Sequence, residues 1–122
     1  MQTVGEAMTK DVLTVPQTAT LGQVARSMRA RNVGSAVVLD NSGSVTGIIS
    51  ERDLVESVAR SRNPDVGTAE SWMQRDVLMI SPETAVPDAV AMMRVAGVRH
   101  LPVGTGTLLG IVSIRDLLAS IV

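Results

Sequence analysis

The sequence lacks most of the side chains on which metal centres, disulfides and aromatic stacks depend. Its 122 residues include no cysteine, phenylalanine or tyrosine, one tryptophan and one histidine. Without cysteine there is no disulfide, no thiolate nucleophile and no cysteine-ligated zinc. A lone histidine, His100, supplies neither a metal ligand set nor a catalytic triad. We therefore expect a protein that is not an enzyme, with no catalytic residue, no metal site and no cofactor.

Charge and hydropathy exclude two further classes of partner. The formal net charge is −1, so no broad basic surface attracts nucleic acid or an anionic membrane. No apolar run approaches the roughly 20 residues that span a bilayer. The first residues show no basic-then-apolar signal pattern. These features predict a soluble cytoplasmic protein with neither a membrane nor a nucleic acid as partner.

The sequence does contain one unit twice. Residues 8–38 overlay residues 73–103 at a constant offset of 65, and residues 47–54 overlay residues 110–117 at an offset of 63. A repeat of this kind fixes the architecture before any chemistry is considered. Each copy alone would be marginally stable because small domains bury too little surface. We therefore expect the copies to pack together around an aliphatic core.

Each copy reads as β-α-β-β-α from its hydrophobic periodicity and turn residues. The first copy is predicted to hold a strand at 12–15, a helix at 21–31, hairpin strands at 35–39 and 45–49, and a helix at 50–62. The second is predicted to hold a strand at 77–80, a helix around 86–93, hairpin strands at 101–103 and 108–112, and a helix at 115–121. A short helical connector is predicted at 68–73.

A Gly-hydrophobic-hydrophobic-Ser-x-x-Asp segment closes each copy, at 47–53 and at 110–116. The Ser-x-x-Asp part is close to a capping box, in which the serine and the acid bond each other's backbone N–H groups. It also suits a ligand, because a helix N-terminus attracts phosphate and a carboxylate beside it can accept two ribose hydroxyls. The residues alone leave both interpretations open.

The duplicated unit and its closing motif resemble a pair of cystathionine β-synthase (CBS) domains, the Bateman module, from about residue 7 to residue 121. The resemblance implies an α/β (α+β) fold with CBS domains at 7–62 and 72–122, a connector at 63–71, and packing about a pseudo-two-fold axis. It implies a non-catalytic regulatory module that forms homodimers. Two clefts between the repeats are then expected to bind AMP, ADP, ATP or S-adenosylmethionine.

The resemblance also assigns residues to the two clefts. In each cleft the aspartate would hold ribose and apolar residues of a first strand would flank adenine. The first predicted cleft contains Ser50, Arg52, Asp53, Val77, Leu78, Arg99 and His100. The second predicted cleft contains Leu13, Gly34, Ser35, Ser113, Arg115 and Asp116.

The two copies differ where phosphate binding would be decided. Arg99 and His100 align with Gly34 and Ser35. Arginine matches phosphate with a fixed fork of donors, and histidine can add charge near neutral pH. We therefore expect the first cleft to take a phosphorylated adenosine. Two alternatives stay open: a domain with empty clefts that dimerises or binds an unidentified protein, and a module that binds S-adenosylmethionine.

Overall fold

The computed structural model describes residues 2–121. Its secondary structure is mixed, and the predicted α/β class is confirmed. The helices are α1 (Val4–Ala7), α2 (Leu21–Arg31), α3 (Glu51–Ala59), α4 (Ala69–Trp72), α5 (Val86–Ala96) and α6 (Ile114–Ser120). The strands are β1 (Thr14–Pro16), β2 (Ser35–Leu39), β3 (Val45–Ser50), β4 (Gln74–Arg75), β5 (His100–Gly104) and β6 (Leu108–Ser113).

The chain divides into two compact units that do not follow the sequence repeats at their edges. The first-repeat unit is Leu13–Val77, and the second-repeat unit contains residues 2–12 together with residues 78–121. The segment that precedes each repeat is therefore part of the unit built by the other repeat. Helix α1 belongs to the second-repeat unit, while α4 and β4 belong to the first.

Matching backbone hydrogen bonds hold these preceding segments in place. In the second-repeat unit, Val4 N–H donates to the Thr84 carbonyl at 2.8 Å. In the first-repeat unit, Ala69 N–H donates to the Ala19 carbonyl at 2.8 Å. These pairs are related by the offset of 65, so the repeat extends to segments that carry little hydrophobic pattern of their own.

The first-repeat unit is built on a four-stranded sheet in the order β1-β2-β3-β4. Strands β1 and β2 are parallel, and the other neighbours are antiparallel. The apolar face of α2, with Leu21, Val24 and Met28, is buried against Val38 and Ile49 of the sheet. Because β2 is apolar at consecutive positions, it suits a strand that is covered on both faces.

Helix α2 has the limits that the sequence predicts because both of its ends are capped. Gln23 N–H donates to Thr20 Oγ1 at 3.2 Å, and Thr20 N–H donates to Gln23 Oε1 at 2.9 Å. Asn32 ends the helix in the left-handed region at φ 53°. At the matched position after α5, Gly97 adopts φ 71°.

The predicted strand at Val77–Ile80 is wrong apart from one residue. Only Ile80 forms a bridge, to Val103 of β5. In the first repeat, Val37 N–H donates to the Leu13 carbonyl at 2.9 Å. The residue that matches Val37 is Pro102, which has no N–H to donate. The parallel pairing that forms β1 in the first repeat therefore cannot extend in the second.

Other boundaries also differ from the prediction, most of them by one residue. The first strand is shifted to Thr14–Pro16, and α3 ends at Ala59 rather than near residue 62. Neither α1 nor β4 was expected.

Candidate functional site

The acidic group of the closing motif at the start of α3 is buried and accepts several hydrogen bonds. Asp53 Oδ2 accepts a hydrogen bond from Ser50 N–H at 2.8 Å and from the Ser50 hydroxyl at 3.1 Å. The Asp53 side chain is buried, with 8% of its surface exposed. The carboxylate therefore serves the helix as a cap, as one of the two interpretations of the motif predicts.

A second side chain holds the other oxygen of Asp53. Gln74 Nε2 donates to Asp53 Oδ1 at 3.1 Å. Gln74 reaches this position because β4 pairs with β3, with Gln74 opposite Ile48. Sequence analysis missed Gln74. An isolated glutamine in a polar segment gives no local signal, and only the pairing of β4 brings it to the acid.

The start of α6 has a simpler arrangement. Asp116 Oδ2 accepts from Ser113 N–H at 3.2 Å, and Ser113 Oγ accepts from Asp116 N–H at 3.0 Å. The residue that matches Gln74 is Thr9, whose backbone bridges Ile111. The Asp116 carboxylate thus accepts the Ser113 N–H, and no glutamine lies at the position that matches Gln74. The two aspartates are therefore held differently.

Strand register places the residues that differ between repeats beside these helix starts. In the first-repeat unit Ser35 lies opposite Ser50, and in the second-repeat unit His100 lies opposite Ser113. Ser35 is buried and His100 is half-buried. Each helix start thus lies next to the beginning of its own hairpin.

Backbone hydrogen bonds complete the same junctions. Glu51 N–H donates to the Gly34 carbonyl at 3.0 Å, and Ile114 N–H donates to the Arg99 carbonyl at 2.8 Å. In the first-repeat unit the Glu51 side chain covers Gly34: a Cβ added to Gly34 would lie 2.5 Å from Glu51 Oε1. In the second-repeat unit the exposed Arg99 takes the place of Gly34, and Ile114 takes the place of Glu51. The charge at this junction is therefore negative in one unit and positive in the other.

The remaining predicted residues differ in exposure. Leu13 packs against the buried core of the first-repeat unit, whereas Leu78 leaves 62% of its surface exposed. Val77 is half-buried, and both Arg52 and Arg115 are exposed.

Each predicted cleft takes residues from both units. The residues that belong to the first-repeat unit are Leu13, Gly34, Ser35, Ser50, Arg52, Asp53 and Val77. The residues that belong to the second-repeat unit are Leu78, Arg99, His100, Ser113, Arg115 and Asp116. The assignment of these residues to two shared clefts stays a prediction.

The glycine that opens each closing motif has a steric role. A Cβ on Gly47 would lie 2.8 Å from the sulfur of Met73, and one on Gly110 would lie 2.6 Å from the sulfur of Met8. The backbone carbonyls of Gln74 and Thr9 approach the same positions. Glycine is therefore required where the preceding segment of the other repeat crosses the hairpin.

Residues 2–121 contain neither a candidate metal site nor a candidate membrane span. Within that range, no three histidine, aspartate or glutamate side chains are grouped so that they could hold a metal ion. No helix of the described chain has the length and apolar character needed to cross a membrane.

Each repeat contains a helix, a β-hairpin and a closing helix that begins with a serine-aspartate cap. This arrangement defines a tandem repeat protein. A family model described as the CBS domain matches residues 4–60 and again residues 69–122. The chain belongs to the CBS domain family, and it carries the domain as a pair.

Individual relatives agree with this assignment. A 17.7 kDa protein of Acidianus ambivalens is 40% identical over 93% of this chain and 70% of its own length. A CBS-domain containing protein of Agrobacterium tumefaciens has a TM-score of 0.90 at 30% identity, covering 98% of this chain and 93% of that one. A hexameric CBS-CP12 protein from bloom-forming cyanobacteria has a TM-score of 0.90 at 26% identity, covering 97% and 70%.

Other relatives are considerably longer than this chain. It spans 60% of a protein of Methanopyrus kandleri and 23% of a homoserine O-acetyltransferase of Methanohalophilus mahii. The same pair of domains therefore occurs within larger proteins.

Proposed function

We propose that this CBS pair is a non-catalytic regulatory module that binds AMP, ADP or ATP in a cleft between its repeats. The observation that carries the proposal is the buried Asp53 carboxylate at the start of α3, with the half-buried Asp116 at the matched start of α6. A carboxylate in this position can accept both hydroxyls of a ribose, and charge-assisted hydrogen bonds of this kind are the stronger ones.

The opposite charges at the two junctions support a preference for phosphorylated ligands on one side. Arg99 is exposed and has Ile114, not an acid, at the position that matches Glu51. Arg99 and His100 would therefore contact phosphate, while Glu51 would repel it from Gly34 and Ser35. This contrast favours one high-affinity phosphate-binding cleft over two equal ones.

A regulatory role is supported by the proteins in which the module is found. The Methanohalophilus relative carries an enzyme name, and this chain matches only 23% of it. A module that accompanies an enzyme in this way suits a sensor better than an active site.

Isothermal titration with AMP, ADP and ATP tests the proposal, with guanosine monophosphate and S-adenosylmethionine as comparison ligands. We expect saturable binding of at least one adenine nucleotide. A thermal shift should accompany it, since a ligand at 100 times its Kd adds about 2.7 kcal/mol to the unfolding free energy. Preference for S-adenosylmethionine would favour the alternative ligand class, and no binding by any of these ligands would leave a ligand-free interaction domain.

Self-association is the second proposal, and the closing helices support it. Val55 and Val58 of α3 are 67% and 72% exposed. The matched residues Leu118 and Ile121 are 49% and 60% exposed. Exposed apolar side chains that recur at matched places are typical of an association surface, and the cyanobacterial relative is hexameric.

We propose that the chain forms a homodimer through these helices. Light scattering after size exclusion should give twice the chain mass for the wild type. The doubly substituted variant Val55→Ser with Val58→Ser should move towards the monomer. A wild-type protein that is monomeric at high concentration would contradict the proposal.

A further inference from the structure

The hydrogen bonds of Asp53 leave little room for a ligand. An ionised carboxylate has about four acceptor positions. Three donors already occupy Asp53: Ser50 N–H, the Ser50 hydroxyl and Gln74 Nε2. About one position is then left, whereas a ribose diol that donates both hydroxyls needs two. A ribose can be held by Asp53 only if one of the existing bonds is given up.

The three existing bonds differ in what their loss would cost. The Ser50 N–H is a backbone donor at the start of α3, and losing its acceptor would leave a helix-terminal group unpaired. The Ser50 hydroxyl belongs to the same residue and binds the same oxygen, Oδ2. Gln74 is different, because it is an exposed residue and its amide alone occupies Oδ1. Its side chain can rotate into solvent without any change in the backbone.

We propose that Gln74 is an internal competitor for ribose at Asp53 and thereby sets the affinity of the module for adenosine ligands. This inference rests on the proposed function. The bound ribose diol replaces the Gln74 amide on Oδ1, and the amide turns to water. The measured affinity for the ligand is then lower than it would be if the Asp53 carboxylate were not bonded to Gln74. The difference equals the free energy of the hydrogen bond that the ribose has to replace.

The second repeat shows what the site is like without this competitor. Thr9 stands where Gln74 stands in the first repeat, and Asp116 still accepts the Ser113 N–H. The motif therefore forms its cap without a glutamine. Gln74 is not needed for the capping geometry, so its presence at Asp53 is a property of the first repeat alone.

Two substitutions test the competition. Gln74→Met keeps the approximate length of the side chain and removes the donor, and Gln74→Thr copies the second repeat. We expect either variant to bind AMP about three- to tenfold more tightly than the wild type, the net size expected for release of one ordinary hydrogen bond from an exposed side chain. Binding of 2′,3′-dideoxy-AMP, which has no diol, should be the same in all three proteins.

Asp53→Asn separates the inference from the proposed function. If Asp53→Asn weakens AMP binding while both Gln74 variants bind AMP as the wild type does or more weakly, the competition is wrong and the ribose site stands. If AMP binds to none of these proteins, or if Asp53→Asn binds as the wild type does, the ribose site is wrong and the competition falls with it.

A measurement on the wild type makes the test independent of the variants' folding. The side-chain amide resonances of Gln74 should move towards the position of a solvated glutamine as AMP is added. Resonances that stay in place at saturation would show that ribose does not displace the amide, and would overturn the inference.

Discussion

Glu51 folds back over Gly34, so that its carboxylate lies where a side chain at position 34 would begin. A Cβ on Gly34 would be 2.5 Å from Glu51 Oε1. The neighbour is the end of a flexible side chain, and it can swing away. A Cβ on Gly47, in contrast, would meet the Met73 sulfur at 2.8 Å and the backbone of Gln74. Two glycines in one unit are therefore required to different degrees.

This difference predicts the stability of two alanine variants. Gly34→Ala should change the free energy of unfolding by no more than about 0.5 kcal/mol, as is usual where the surroundings can adjust. Gly47→Ala should lower it by about 1–3 kcal/mol, because β4 and Met73 must move to relieve overpacking. Urea denaturation of both proteins measures the two values. Equal losses in the two variants would contradict the assigned contacts.

The phosphate preference predicts the effect of removing Arg99. Arg99→Ala should weaken AMP or ATP binding by about tenfold, since a hydrogen bond between charged groups is worth about 1.5–3 kcal/mol. Raising the salt concentration should weaken wild-type binding, because salt screens the attraction between Arg99 and phosphate. It should affect the variant less, because the variant lacks this attraction. Arg29→Ala, which removes an exposed charge from α2, is the matched control. If both arginine variants bind equally, the effect is one of net charge and Arg99 does not contact phosphate.

Replacing Asp53 separates capping from ligand binding. Asparagine keeps an oxygen that can accept the Ser50 N–H, so Asp53→Asn should fold and lose little stability. The same variant loses the charge that strengthens hydrogen bonds to ribose, and the Kd for AMP should rise about tenfold or more. Calorimetric titration and thermal unfolding of one preparation give both quantities. An unchanged Kd would leave Asp53 with the capping role only.

The hairpin turn of the first repeat predicts a pH dependence. The hydrogen bond from the Ser42 hydroxyl, followed by the Ser44 N–H, holds the pKa of Asp40 below its usual value of 3.8. These bonds are 2.6 Å and 3.0 Å long. Because the folded pKa is depressed, the contribution of Asp40 to stability is complete well above pH 3.8 and is lost as pH falls through the folded value.

The measurement is the difference in unfolding free energy between wild type and Asp40→Asn. It should be constant from about pH 5 to pH 7 and should shrink below about pH 4. Ser42→Ala removes the largest cause of the depressed pKa, so in that background the decline should be smaller and should be complete at a higher pH. A difference that does not vary with pH would show that the turn does not stabilise the charged form.

The elements that could be predicted are those whose local sequence carries the signals for them: caps, an apolar face or turn residues. Helix α2 carries caps at both ends and an apolar face between them, and the limits predicted for it are confirmed. Each hairpin has apolar strands separated by turn residues. The repeat and its closing motif then led to the CBS family, which the family match confirms.

The missed elements depend on partners that are distant in sequence. Strand β4 is two exposed polar residues, and it is a strand only because Gly47 leaves room for it beside β3. Helix α1 has a single turn, and only the pairing of Thr3 with Glu6 marks its start. Pro102 lies within a predicted strand that does form. Its missing N–H instead prevents the strand that was predicted at 77–80 from pairing with it. Gln74 likewise becomes a neighbour of Asp53 only through β4.

One unit is continuous in sequence and the other is made of two separate segments. This difference predicts the order in which the units fold during synthesis. The first-repeat unit is the continuous stretch Leu13–Val77. It can close once that stretch has left the ribosome, since continuous domains fold as they emerge. Thr9 finds its partner Ile111 only after on the order of a hundred further residues have been made, a separation that slows folding. We therefore expect the second-repeat unit to form last. The segment around Thr9 can pair only after the hairpin that contains Ile111 has been synthesised.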